Sequence, residues 1–218
     1  HPEYKRKGNT IADLLRRSLA PLTEEAWNEI EETAARVVKS QLTARALVDF
    51  DGPHGWDYAA VNLGRLEMAK SDGPYDVPWG RRLVLPLLET RMPFKLDQME
   101  LDTIARGAKD ADLGSVEEAA RRVALFEESA IYNGFEPAGI EGIIPCTGQD
   151  PVELPKNTRE FPEAVARAAQ AIRLAGVSGP LKLVLGNEAW AALMQSGAGG
   201  YPPQRIIRNL LESDPMVS

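Results

Sequence analysis

Residues 52–92 run GPHGWDYAAVNLGRLEMAKSDGPYDVPWGRRLVLPLLETRM, and the way this stretch is accommodated decides the fold. Residues 56–69 alternate apolar and polar side chains in part, as a strand does. Ser71-Asp72-Gly73-Pro74 is a strong turn composition. Residues 81–96 form a second extended segment, where Pro86 and Pro93 cannot donate to a ladder and so suit an edge or a long arm. Together they predict a long β-hairpin over 52–92. It has too little alternation to build a core of its own, and an isolated two-stranded hairpin is marginal in water. It must therefore pack on something else, often a neighbouring subunit.

Upstream of the hairpin, residues 11–19 place Ile11, Leu14, Leu15 and Leu19 on one face of a short amphipathic helix that Pro21 ends. Thr23 is placed to cap the next helix, whose positive N-terminus favours Glu24 and Glu25. Trp27, Ile30, Ala34, Val37 and Val38 recur at three- and four-residue steps and make its apolar stripe. Ala46–Phe50 reads as a strand closed by the turn Asp51-Gly52-Pro53. Residues 1–10 (HPEYKRKGNT) are polar and basic, lack a signal-peptide core, and read as a flexible arm or a linker.

Downstream, Asp97 with Glu100 predicts a capping-box start to a short helix over 97–106, closed by Gly107. Ser115 with Glu118 predicts a second capping box, opening a helix over 115–133 that stops at Gly134. Near twenty residues long, it would span roughly 30 Å and form the spine of a domain. Residues 135–160 read as loop with a brief strand at Ile143-Ile144. Pro162 opens a helix over 162–175 that Gly176 closes. Leu181–Leu185 is the strongest strand pattern, Asn187 caps a helix through Met194, and 203–212 is a last helix. This alternation predicts a second α/β lobe. Met216-Val217, after the turn dipeptide Asp214-Pro215, looks like the start of a strand, so a fragment of a longer chain is expected.

The chemistry available is narrow. The chain has 218 residues, 25 basic and 32 acidic, for a net charge of −7. That balance argues against a nucleic-acid face and against binding an anionic membrane, and no run of about eighteen apolar residues exists to span a bilayer. Cys146 is the single cysteine, which excludes an intrachain disulfide and a thiolate zinc site and fits a reducing compartment. His54, in a turn composition, is expected to be an exposed loop histidine. Gly197–Gly200 follows a helix and lacks the strand and spacing of a phosphate loop. Asp97, Glu100 and Asp102 are better explained by capping and solvation than by a metal, and so are acid pairs such as Glu127-Glu128. Trp27, Trp56, Trp79 and Trp190 are scattered and read as core or interface anchors. No nucleophile–base pair, metal set or cofactor loop emerges, and the pattern suggests an assembly subunit.

The residues then carry a resemblance. The run 11–27 (IADLLRRSLAPLTEEAW) resembles the N-terminus of encapsulin shell proteins, as does 47–64 (LVDFDGPHGWDYAAVNLG). Phe94–Asp97, Glu100–Asp102, Ala105–Gly107, Phe126–Gly134, Gly139–Gly142, Gly176–Pro180 and Gly200–Pro202 follow in order at family spacing, so the likeness covers 11–217.

The resemblance implies an α+β, HK97-like capsid fold. It places N-terminal helices and the start of the P-domain at 11–51, an E-loop hairpin at 52–92 and the P-domain with its spine helix at 93–134. An A-domain follows at 135–213 and a return toward the P-domain at 214–218, with the C-terminal P-domain strands missing. It implies an icosahedral, self-assembled bacterial compartment in the cytoplasm. The shell would enclose ferritin-like (iron-storing) or dye-decolourising peroxidase cargo, pass small solutes or ions through pores, and have no enzyme activity or cofactor of its own. The cargo would bind through a C-terminal targeting peptide or a fused domain, and residues 1–10 could be the linker of such a fusion. By position, Val38, Arg45 and Asp49 correspond to the peptide pocket, where Ala44-Arg45-Ala46 departs from the common Gly-Arg-basic pattern. Gly197, Gly199, Gly200 and Tyr201 correspond to the five-fold pore loop, where glycine lets backbones approach an axis. A phage or prophage major capsid protein of the same fold is the alternative; an enzyme is a third reading, opposed by the missing nucleophile–base pair.

Overall fold

The computed structural model describes residues 17–196 and 201–217. The expected helix over 11–19 therefore lies mostly outside the described residues, and only its end appears, as a 3-10 turn at Arg17–Leu19. The chain divides into two units, one of residues 1–40 and 92–124, the other of 41–91 and 125–218.

In the first unit, Glu24–Gln41 is helix α1. Thr23 begins it as the sequence predicts, its Oγ1 accepting from the Ala26 amide at 3.3 Å. The Glu25 carboxyl lies below its ordinary value, chiefly through a hydrogen bond from its own backbone amide and then through Thr23. Gln98–Ala105 is α2, capped by Asp97, which accepts from the Met99 amide at 2.8 Å. Glu100 does not close a capping box: it reaches across to accept from the Asp112 amide at 3.0 Å. Gly114–Asn133 is α3, the helix expected over 115–133, and its residues from Leu125 on fall in the second unit. Its predicted capping box is likewise absent. Ser115 Oγ donates to the Lys95 carbonyl at 2.6 Å, and Glu118 pairs with Arg122 one turn on. In both cases a tertiary partner displaces the local one. Ala26 and Ile30 of α1 and Leu101 and Ile104 of α2 pack with Leu113 and Val116 to form this unit's core.

In the second unit, β1 (Ala60–Met68) and β2 (Gly80–Pro86) form the predicted antiparallel hairpin, in register from Ala60↔Pro86 to Met68↔Gly80 with a bulge between Asn62 and Arg65. Gly73 closes its tip by donating to the Val77 carbonyl at 2.9 Å. The lobe beyond α3 contains α4 (Phe161–Leu174), α5 (Asn187–Gln195) and α6 (Pro203–Leu211). Beside them, β3 (Val184–Leu185) pairs parallel with β4 (Met216–Val217). Phe161, Val165, Leu185, Leu193, Ile207 and Leu211 make its core.

Several local readings are corrected. Ala46–Phe50 is not a strand: Ala44–Ala46 is a 3-10 turn, and the Leu47 and Val48 amides both donate to the Ala44 carbonyl. Ile143-Ile144 is a turn whose amides donate to Ile131 and Tyr132, at the end of α3. The strand expected over Leu181–Leu185 shrinks to its last two residues, the ones paired in register with Met216 and Val217. Asn187 lies inside α5, and Gly186 takes the cap position.

Candidate assembly surface and cargo-contact residues

Hairpin side chains that alternate about a buried face should leave one face dry. Here neither face is covered: Val61 is 40% exposed and its cross-strand partner Leu85 50%. Leu63, Leu66, Met68, Trp79 and Val84 are exposed as well. Glu67 and Arg81, opposite each other, form a surface ion pair at 2.9 Å. The two strands pack mainly on one another, and no helix supports them comparably. Charged or polar side chains would solvate a free arm. The strands expose Val, Leu and Met beside Asn62, Arg65, Glu67, Arg81 and Arg82, and a contiguous exposed apolar patch marks an interaction site.

At the arm's base, residues 49–58 shape an open cleft of about 480 Å³, lined among others by Asp49, Phe50, His54, Tyr58, Val61 and Leu87. His54 Nε2 lies 3.1 Å from Asp51 Oδ2, and its ring is 4.4 Å from that of Tyr58. The loop histidine is therefore held in a local pair. Among the described residues no group of three His, Cys, Asp or Glu is placed to hold a metal.

The residues predicted for peptide contact and for the pore loop stand in different surroundings. Arg45 is not a free guanidinium: Nε and Nη2 donate to Glu127 Oε1 and Oε2 at 2.5 and 2.8 Å. This bidentate pairing pushes the Arg45 pKa up further. Its guanidinium also stands 4.9 Å from the centre of the Phe50 ring, next to Asp49 on the cleft rim. Arg45 and the Asp49-Phe50 step are thus brought together, while Val38, half-buried on α1, belongs to the other unit. Gly197, Gly199 and Gly200 lie outside the described residues. Tyr201 is exposed, with Arg205 5.1 Å over its ring and its hydroxyl accepting from Asn209 at 3.3 Å.

One buried carboxylate was not foreseen from the sequence. Glu128 is buried, 8% exposed, and accepts from Thr43 Oγ1 at 2.7 Å and from the Ala44 amide at 2.8 Å. The solvated-face reading of Glu127-Glu128 fails for this residue. A signal was present: Glu128 stands four residues after Ala124 and eight after Ala120, so it interrupts the buried stripe of α3.

The hairpin leaves Val61, Leu63, Leu66, Met68, Val84 and Leu85 open to solvent. The family model described as "Encapsulating protein for peroxidase" matches residues 12–218. The type 1 encapsulin shell protein of Rhodospirillum rubrum is 43% identical over 204 residues, spanning 91% of this chain and 73% of that protein. Those of Rhodococcus erythropolis and Mycobacterium tuberculosis are 37% and 38% identical, each over 92% of this chain and 75% of theirs. The chain belongs to this family, the encapsulin shell proteins. No described helix is long and apolar enough to cross a membrane.

Proposed function

We propose that this chain is a shell subunit that assembles with copies of itself into a closed icosahedral compartment around cargo, with no enzyme activity of its own. The exposure of the apolar hairpin carries the reading, because burying Val61, Leu66, Met68, Val84 and Leu85 requires a second copy. At about 25 cal/mol per Å² of apolar surface, an interface of that kind is the dominant drive for association. In this reading the HK97-type division holds, with 52–92 as the arm, α3 as the spine and the lobe after Gly134 as the domain that meets its copies around symmetry axes. Gly197, Gly199, Gly200 and Tyr201 then line a pore for ions or small solutes.

The cargo is a peroxidase or a ferritin-like protein, as the family description suggests for the first. It is held by a short peptide of its own or by fusion. Val38, Arg45 and Asp49 contact that peptide, with Arg45 using the guanidinium hydrogens that Glu127 leaves unused. The compartment stands in the bacterial cytoplasm. The named relatives are all encapsulins, so the phage-capsid reading is not favoured.

Native purification followed by sedimentation, negative-stain microscopy and mass spectrometry of co-purifying protein tests this. Closed particles with one dominant guest are expected. A lone compact monomer under gentle conditions, or hydrolytic turnover by the purified chain, overturns it.

A further inference from the structure

Four successive residues, Thr43 to Ala46, are each held by a side chain far away in sequence. Glu128 takes the Thr43 hydroxyl and the Ala44 amide, and Tyr132 Oη lies 3.2 Å from the same hydroxyl. Glu127 takes Arg45, and Lys182 Nζ donates to the Ala46 carbonyl at 2.5 Å. Ala44, at the centre, is 0% exposed. A buried carboxylate is costly unless its oxygens are satisfied. Here Oε2 accepts from Thr43 and Oε1 from Ala44, which fixes both the position and the direction of the chain between them.

We infer that Thr43–Ala46 is a clamped stem, and that Glu128 is the positioning residue that sets the angle at which the hairpin arm leaves the subunit. The hairpin has little support from helices, so its direction is inherited from its stems. Leverage makes the clamp matter. The nine residues of β1 reach about 30 Å, so a rotation of about 10° at the stem moves the tip by roughly 5 Å. That displacement exceeds the spacing of packed side chains. It would leave every copy's arm out of register with its seat, and the inference in this respect rests on the shell reading.

The full-length chain tests it, as wild type, Glu128→Ala, Glu128→Gln and Lys182→Met. The readouts are helix content, amide hydrogen exchange and the distribution of particle diameters. Wild type is expected to give one narrow particle population and a protected Ala44 amide. Glu128→Ala should keep its helices, exchange Ala44, Leu47 and Val48 at least about tenfold faster, and give broadened or unassembled material. Glu128→Gln retains an acceptor and should recover most of the protection at Ala44. Lys182→Met should loosen Val48 and broaden the particles slightly.

Glu128→Ala particles as narrow as wild type, or exchange that rises equally along α3, would overturn the positioning role. Should Glu128→Ala not fold, an Ala44 amide that is unprotected in the wild type, or wild-type diameters and exchange in Lys182→Met, would overturn it. A wild-type chain that never assembles sinks the shell reading instead, while the exchange pattern still decides whether Glu128 holds the stem.

Discussion

Gly134 and Gly142 meet backbone to backbone: a Cβ built on Gly142 would lie 2.3 Å from the Gly134 amide nitrogen, and one on Gly134 would lie 2.8 Å from the Gly142 nitrogen. The contact closes the turn that follows α3, where the Ile143 and Ile144 amides donate back to Ile131 and Tyr132 at 2.8 and 3.0 Å. Gly134 also has φ of +85°, which an L side chain rarely adopts. Because main chain lies on both sides, neither can yield. Gly142→Ala should destabilise the second unit by about 3 kcal/mol, read as a lowered thermal midpoint or a loss of soluble protein. An unchanged midpoint would show that the two segments can separate without cost.

On the shell proposal, the exposed hairpin separates folding from assembly. Leu85 is half exposed in the subunit, so Leu85→Glu removes little burial there. In an interface the same charge must be desolvated without a partner, at a cost of several kcal/mol. Leu85→Glu should therefore give helical, soluble subunits that fail to form particles in sedimentation. Normal particles would place the apolar arm outside the contact between copies.

Cys146 is exposed, and its Sγ lies 3.5 Å from Glu141 Oε2. The hydrogen bond to that carboxylate, with its negative charge, pushes the thiol pKa up. The protonated thiol is the less reactive form. Glu141→Gln should then speed alkylation by iodoacetamide at mildly alkaline pH by a few-fold, and the pH–rate curve should move toward acid. Superimposable curves would show that Glu141 does not govern the thiol.

Glu25 titrates below the ordinary carboxylate range in the folded chain. A carboxyl depressed by folding contributes stability above its unfolded pKa, and the contribution disappears as pH falls through the folded value. Glu25 is fully exposed, so the consequence is local. The first-turn amides of α1 should lose exchange protection in acid before those of its middle. Glu25→Gln should remove that pH dependence while leaving the middle of α1 unchanged. Retention of the full dependence in the variant would assign it to another group.

Where a pattern is carried by neighbours along the chain, it could be read directly. The apolar stripe of α1, the Asp97 cap of α2, the length of α3 to Gly134 and the two arms of the hairpin all follow from spacing and turn chemistry. Ala46–Phe50 and Ile143-Ile144 could not be read this way. Their apolar composition suits a strand, but their amides are already claimed by Ala44 and by the end of α3.

The sequence by itself determined that the arm exists and that it lacks a core, because turn residues and alternation act over a few positions. It also determined the family, since many short runs recur in order. Only the tertiary structure decided that Arg45 is engaged by Glu127 and that Glu128 is buried. A charged residue's role depends on what stands opposite it, more than eighty residues away in this chain, and helical spacing alone does not determine that partner.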